Sequence, residues 1–99
     1  MKTSVAMCTY NGESYLDEQL QSILEQTEPI DEIVICDDGS IDKTLSIIEK
    51  FIKAGTPIRL ILNQKNLGYT RNFEKAICLC SGDIIFLADQ DDIWMPEKV

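Results

Sequence analysis

The sequence predicts an α/β fold in which helices flank a parallel sheet. Short apolar runs, typical of buried strands, alternate with longer runs whose apolar residues recur at helical spacing. No linker, internal repeat or low-complexity stretch interrupts the 99 residues, so we expect one domain, 1–99. Short connections and right-handed crossovers then favour four parallel strands in the spatial order 3-2-1-4.

The predicted strands are the four short apolar runs. They are Ser4–Cys8, Ile33–Cys36, Ile58–Leu62 and Ile84–Ala88. The first is apolar on both faces, which is typical of a parallel strand with a helix layer on either side. Arg59 and the alternation around it indicate that the third strand has a less buried place in the sheet.

Three amphipathic helices are predicted between the strands. Their apolar stripes are Leu16, Leu20, Ile23 and Leu24; Leu45, Ile48, Phe51 and Ile52; and Phe73, Ala76, Ile77 and Cys80. Ser14 is the expected N-cap of the first helix, in a capping box with Asp17. We expect the second helix to begin near Ser40 or Asp42 and to end at Gly55.

Composition excludes several classes of function. With 17 acidic and 9 basic residues the formal net charge is -8, so the surface repels nucleic acid and we expect no such partner. No apolar run approaches the roughly 20 residues of a membrane helix. The four cysteines lie in apolar runs and histidine is absent, which favours buried free thiols over disulfides or a zinc site. We therefore expect a cytoplasmic protein, with the full-length form at the inner membrane face.

Polar segments follow the four predicted strands. They are Thr9-Tyr10-Asn11-Gly12, Asp37-Asp38-Gly39-Ser40, Asn63–Gly68 and Asp89-Gln90-Asp91-Asp92. Ligands of open parallel sheets bind at these strand ends, where the strand order reverses. Asp37 fits ordinary turn chemistry. The crowded carboxylates of the last segment favour a compensating hard cation, Mg²⁺ or Mn²⁺, bound together with a diphosphate.

Four runs, SVAMCTYNG, EIVICDDGS, NLGYTRN and SGDIIFLADQDDIWMP, occur in this order. Together they resemble the N-terminal half of family 2 glycosyltransferases, which have the Rossmann-like GT-A fold, and the last run resembles rhamnosyltransferase-like members. The likeness covers nearly the whole chain. It implies metal-assisted, inverting transfer of a sugar from a UDP- or dTDP-linked donor to an acceptor hydroxyl in surface polysaccharide or glycan synthesis.

The resemblance also implies roles for individual residues. Nucleotide contacts are expected from Thr9, Tyr10, Asn11, Asp38, Gly68, Arg71, Asn72 and Asp89. Asp38 would accept a hydrogen bond from the imide N–H of a pyrimidine, and Asp91 would ligate the metal. We expect the catalytic base and the site for a glycan or lipid-linked acceptor downstream of Val99. The chain itself is then expected to bind the donor without catalysing transfer.

Two alternative functions stay open on the residues alone. A phosphatase of the haloacid-dehalogenase type also places a DxD motif after an apolar strand, although normally near the N-terminus. A nucleotide-binding module without catalysis is the alternative from another class. Dinucleotide-binding and P-loop domains are excluded, because neither GxGxxG nor GxxxxGK[ST] occurs. We further expect the strand Ile84–Ala88 to form an apolar sheet edge that supports self-association.

Overall fold

The computed structural model of the protein describes residues 1–88, 93–96 and 98. Strands and helices alternate through this part of the chain. They are β1 (Thr3–Thr9), α1 (Leu16–Leu24), β2 (Glu32–Asp37), α2 (Thr44–Lys53), β3 (Ile58–Leu62), α3 (Tyr69–Leu79) and β4 (Ile84–Ala88). All strand pairs are parallel and the sheet order is β3-β2-β1-β4, which confirms the predicted architecture.

Helices cover both faces of the sheet. The larger core joins alternate residues of β1 and β2, such as Val5 and Ile35, to the apolar faces of α1 and α2. The smaller core places Ala6 and Val34 against Ala76 of α3. Because successive side chains of a strand point to opposite faces, β1 and β2 are buried on both sides, as their apolar runs predict. β3 is less buried than β1 and β2, as expected.

The register brings the carboxyl ends of the strands to one edge. Thr9 at the end of β1 lies opposite Asp37 at the end of β2, and Asp37 lies opposite Leu62 at the end of β3. The loops after these strands therefore leave the sheet side by side. No helix in the described ranges is long and apolar enough to cross a membrane.

Two expectations about local structure are wrong. The N-cap of α1 is Tyr15, one residue after Ser14, and the Gly12 carbonyl oxygen accepts the N–H groups of Tyr15 at 3.2 Å and Leu16 at 3.0 Å. A backbone turn thus replaces the expected capping box. Cys78 is exposed on α3, because it lies off the helical stripe that faces the sheet, although all four cysteines are free as expected.

Both signals for the ends of α2 are confirmed. The Asp42 carboxylate accepts the backbone N–H of Thr44, the first helical residue, at 2.9 Å. This bond satisfies one of the donors that a helix leaves open at its N-terminus. Gly55 follows the last turn with φ 87°, a conformation that favours glycine.

Candidate functional site

A cavity of about 300 Å³ opens at the edge of the sheet where β1 and β2 end. It is lined by Cys8, Thr9, Tyr10, Tyr15, Asp38, Asn66, Gly68, Tyr69 and Asn72. Five of the predicted nucleotide contacts belong to this lining: Thr9, Tyr10, Asp38, Gly68 and Asn72. The cavity therefore opens at the sheet edge where the strand-end rule predicts a ligand site.

The first two loops of the site are fastened to each other. The Asn11 backbone N–H donates to Ser40 Oγ at 2.9 Å, and Asn11 Oδ1 accepts the N–H of Ile41 at 2.9 Å. The Gly12 N–H donates to Thr44 Oγ1 at 2.8 Å, at the start of α2. These bonds hold the two loops together beside the cavity. The Asn11 side chain is engaged in them and lies outside the cavity lining.

Asp37 serves the turn after β2, as its sequence context predicts. Its Oδ2 accepts the backbone N–H groups of Gly39 at 3.1 Å and Ser40 at 2.9 Å. Its Oδ1 accepts the hydroxyls of Thr9 at 2.7 Å and Ser40 at 2.6 Å. Asp37 is 2% exposed, so this carboxylate is committed to the fold.

Asp38 holds the segment 63–68 against the end of β2. Its Oδ1 accepts Leu67 N–H at 2.7 Å and Asn63 Nδ2 at 3.0 Å, and its Oδ2 accepts Gly68 N–H at 3.0 Å. Asp38 is 5% exposed and lines the cavity. A carboxylate has about four acceptor positions, so one position on Oδ2 remains after these three bonds.

The surroundings of Asp38 keep it ionised. Burial by itself would raise the pKa of the Asp38 carboxyl. The hydrogen bonds from Leu67, Asn63 and Gly68, together with the charge of Lys75, outweigh burial and lower that pKa below its ordinary value. At neutral pH the cavity therefore contains a negatively charged acceptor with a fixed orientation.

The thiol of Cys8 has the opposite character. Burial, followed by the proximity of Cys36 and Asp38, raises the pKa of Cys8 to about 12. A thiol with such a pKa stays protonated and is a poor nucleophile. Cys8 is therefore a small apolar part of the cavity wall.

Three tyrosines give the cavity aromatic surface. Tyr10 is 53% exposed and Tyr69 is 59% exposed, and the Tyr69 ring packs edge-on against Phe73 at 5.1 Å between centroids. Sequence reasoning identified Tyr10 and missed Tyr15, Tyr69 and the backbone role of Gly12. A Cβ atom at Gly12 would lie 2.6 Å from Tyr15 Oη, so Tyr15 packs directly on that glycine.

The two predicted contacts on α3 face in different directions. Asn72 is 2% exposed, and its Nδ2 donates to the Cys36 carbonyl at 2.9 Å, which pins α3 to β2. Arg71 is exposed and is not among the residues that line the cavity. This anchoring role was not predicted from the sequence, and the signal that could have indicated it is a polar residue directly beside the apolar stripe of α3.

The predicted nucleotide contact Asp89 and the predicted metal ligand Asp91 lie outside the described residues, as do Gln90 and Asp92. Ala88, which precedes them, pairs with Met7 of β1 near the cavity edge. Within the described residues no group of three or more aspartate, glutamate or cysteine side chains could hold a metal ion. The metal prediction therefore depends on Asp91, which lies outside the described residues.

Trp94 returns the chain to the α1 face of the sheet. It is 4% exposed, its ring lies 6.0 Å from that of Phe86, and its backbone N–H donates to Ser22 Oγ at 3.0 Å. Trp94 therefore packs in the larger core.

Curated relatives of the chain are glycosyltransferases. It is 43% identical over 98 residues to the dTDP-rhamnosyl transferase RfbG of Shigella flexneri, a match that covers 94% of this chain and 34% of the relative. It is 40% identical over 96 residues to an uncharacterized glycosyltransferase of Haemophilus influenzae, covering 97% of this chain and 30% of the relative. The chain thus spans about a third of the length of these relatives.

Solved structures share the fold. S. aureus TarS (residues 1–349) in complex with UDP superimposes with a TM-score of 0.87 at 33% identity, over 98% of this chain and 29% of that one. The mannosyltransferase PcManGT from Pyrobaculum calidifontis, in complex with GDP-Man and Mn²⁺, gives 0.85 at 27% identity, over 94% and 28%. These likenesses confirm the GT-A fold and do not favour the phosphatase interpretation. The model of the family described as glycosyl transferase family 2 matches residues 4–99, and the chain belongs to that family.

Proposed function

We propose that the protein acts in glycosyl transfer from a nucleoside-diphosphate sugar to an acceptor hydroxyl, and that the cavity receives the nucleoside of the donor. The observation that carries the proposal is the position of Asp38, a buried acceptor in a cavity also lined by Tyr10 and Tyr69. An aromatic ring offers a base a stacking surface, while a carboxylate selects a base that presents a hydrogen-bond donor. The complexes of TarS with UDP and of the mannosyltransferase with GDP-Man support this role.

The chemistry of Asp38 favours a UDP- or dTDP-linked donor over a CDP-linked donor. Uracil and thymine carry an imide N–H, which can donate to the acceptor position left on Asp38 Oδ2. Cytosine has a bare ring nitrogen at that place, and its lone pair would face the negative carboxylate. A tenfold preference corresponds to about 1.4 kcal/mol, well within the strength of a hydrogen bond to a charged group.

A divalent cation, Mg²⁺ or Mn²⁺, belongs to the proposal. The carboxylates of Asp89 and Asp91 are hard oxygen donors of the type these ions prefer, and Mn²⁺ accompanies GDP-Man in the related mannosyltransferase. A bound ion would offset the negative charge that develops on a departing diphosphate. Asp91 is the proposed ligand, and Asp89 is the proposed contact to the ribose.

The catalytic base is proposed to come from another part of the protein. Among the described residues that line the cavity, Asp38 is the carboxylate, and its hydrogen bonds commit it to the 63–68 segment. A base must reach the acceptor hydroxyl directly or through one water. We therefore place the base, together with the glycan or lipid-linked acceptor, downstream of Val99, and this chain would bind donor without catalysing transfer.

Three further features complete the proposal. Inversion at the transferred sugar and a role in surface polysaccharide synthesis follow from the family resemblance, and a rhamnosyl transferase among the relatives supports the second. A cytoplasmic location, with the longer protein at the inner membrane face, agrees with four free cysteines. Arg71 and Asn11 keep their predicted nucleotide contacts only if the bound donor extends beyond the cavity.

The proposal is tested by titrating the chain with UDP, dTDP and GDP, with and without Mn²⁺, by NMR or calorimetry. We expect UDP or dTDP to bind, more tightly with Mn²⁺. Asp38→Asn should weaken nucleotide binding about tenfold with or without Mn²⁺. Asp91→Asn should remove only the increase in affinity that Mn²⁺ causes. Asp17→Asn on the outer surface of α1 is the matched control. Absence of binding to all three nucleotides at millimolar concentration would contradict the proposal.

A further inference from the structure

Two side chains outside the cavity are connected to Asp38. Asn63 and Lys75 line a neighbouring groove of about 610 Å³, formed by β3, the 63–68 segment and α3. Lys75 Nζ donates to Asn63 Oδ1 at 2.8 Å, and Asn63 Nδ2 donates to Asp38 Oδ1 at 3.0 Å. Neither Asn63 nor Lys75 lines the cavity. Their direct contacts can therefore reach a bound base only through Asp38 or Asn72, which both line the cavity and both accept from Asn63 Nδ2.

The amide of Asn63 has one orientation that satisfies all its neighbours. Its Nδ2 donates to Asn72 Oδ1 at 2.7 Å as well as to Asp38, while its Oδ1 faces Lys75. Lysine is only a donor and an ionised carboxylate is only an acceptor, so a reversed amide would lose its bonds at both ends. The Asn72 amide is fixed in turn by its bond to the Cys36 carbonyl at 2.9 Å.

These hydrogen bonds determine which acceptor position of the Asp38 carboxylate remains unoccupied. Oδ1 accepts from Leu67 and Asn63, and Oδ2 accepts from Gly68 alone. Without Asn63, the carboxylate could rotate about its terminal torsion, which is broad for aspartate. The free position would then no longer be confined to Oδ2. Lys75 adds a nearby positive charge that favours the ionised carboxylate.

We propose that Asn63 and Lys75 are positioning residues, which hold the Asp38 carboxylate so that its remaining acceptor position faces the nucleobase of the donor. The inference rests on the proposed function, because it takes the cavity as the site of the base. It adds two residues that do not touch the ligand.

Two lysines of the same groove provide a matched test. Lys75→Met and Lys65→Met each remove one positive charge beside the 63–68 segment, but only Lys75 is bonded to Asn63. We expect Lys75→Met to weaken UDP binding about three- to fivefold and Lys65→Met to change it less than about twofold. Lys75→Arg keeps a donor and should restore most of the affinity. Equal losses in the two methionine variants would indicate long-range charge only and would overturn the inference.

A double-mutant cycle separates positioning from a general loss of structure. As a single substitution, Asn63→Ala should weaken UDP binding about five- to tenfold. When Asp38→Asn is already present, it should weaken binding less than about twofold. Losses that multiply would show that Asn63 acts independently of Asp38 and would overturn the inference. If the unaltered chain binds neither UDP, dTDP nor GDP, the proposed function itself fails and the inference with it. If the unaltered chain binds UDP but the losses from Asn63→Ala and Asp38→Asn multiply, the inference fails and the proposed function stands.

Discussion

Thr9 Oγ1 donates a hydrogen bond of 2.7 Å to Asp37 Oδ1, across the last paired position of β1 and β2. This bond, together with those from Gly39 and Ser40, turns the Asp37 carboxylate toward the sheet edge and the turn. The next carboxylate, Asp38, lines the cavity. Two adjacent aspartates thus have separate tasks, one in the fold and one in the site.

The first prediction separates these tasks by substitution. Asp37→Asn places an amide where the carboxylate accepts four hydrogen bonds, so it should lower the free energy of unfolding by about 1–3 kcal/mol. Asp17→Asn is the control, because its 3.6 Å ion pair with Lys50 is solvent-exposed and should contribute at most about 1 kcal/mol. Urea unfolding at neutral pH measures both. A stability of Asp37→Asn equal to that of the control would contradict the assigned role.

A third buried carboxylate lies at the opposite end of the sheet. Glu32, 6% exposed, accepts Ser81 N–H at 2.9 Å, Ser4 Oγ at 2.7 Å and Arg59 Nη1 at 3.0 Å. Burial by itself would raise the pKa of the Glu32 carboxyl, but these bonds outweigh it and lower the pKa from 4.5 to about 2. Glu32 therefore connects β1, β2, β3 and the segment after α3 through one ionised group.

The second prediction concerns acid stability. Because the pKa of Glu32 is lower in the folded chain, its contribution is present above pH 4.5 and is lost as the pH falls toward 2. The full shift corresponds to about 3 kcal/mol, and the partly exposed Arg59 reduces this through solvent screening. Glu32→Gln should thus lose about 1–3 kcal/mol at pH 7, and the difference from the unaltered chain should shrink toward pH 2.

The control for this pH series is Glu49→Gln, on the exposed face of α2. It should follow the unaltered chain at every pH. Unfolding by urea, monitored by circular dichroism from pH 7 down to pH 2, gives both curves. A Glu32→Gln deficit that does not depend on pH would show that packing, and not the ionised carboxylate, causes the loss.

Hydrophobic pattern predicted the order of the elements and of the strands, because the buried runs of β1 and β2 leave few alternatives. It did not reveal Glu32. A glutamate at the start of a strand gives no periodic signal, and its partners Ser4, Arg59 and Ser81 meet only in the folded chain. The same holds for the α1 cap, where a backbone turn at Gly12 replaced the expected side chain.

The candidate site could be predicted only in part, because contacts between residues far apart in the chain give no local sequence signal. Strand ends can be read from sequence, so the sequence predicts Asp38 and Gly68 at the sheet edge where the cavity opens. The hydrogen bonds from Leu67, Gly68 and Asn63 to Asp38 join positions about 25 to 30 residues apart, and nothing in the local pattern indicates them. The predicted roles of Asp89 and Asp91 stay predictions, because these residues lie outside the described part of the chain.

The third prediction uses two glycines with positive φ. Gly68, the N-cap of α3, has φ 84° and ψ 163°, and Gly55 after α2 has φ 87°. No atom lies within 4 Å of a Cβ built at either glycine, so alanine would cost conformational strain of about 1–3 kcal/mol without a clash. Only Gly68 donates to Asp38. We expect both alanine variants to lose stability and Gly68→Ala alone to lose UDP affinity, about three- to tenfold.

Thermal unfolding and a UDP titration of the same samples check this pair. The comparison of Gly68→Ala with Gly55→Ala removes the effect of lower stability on binding. Unchanged UDP affinity in Gly68→Ala would mean that the conformation of this glycine does not matter to the site.

The last prediction concerns β4, which forms one edge of the sheet. Leu87 pairs with Ala6 on the α3 face and is 49% exposed, and Ile85 on the same face is 37% exposed. An exposed apolar edge strand is a surface on which other chains pair, so we expect the chain to self-associate. Leu87→Lys should weaken association about tenfold, since burying one leucine contributes about 1.5–3 kcal/mol.

Ile41→Lys, at a position that is 90% exposed in the loop before α2, is the control and should have no effect. Sedimentation at increasing concentration measures all three chains, and a monomer throughout would show that β4 is not an interface.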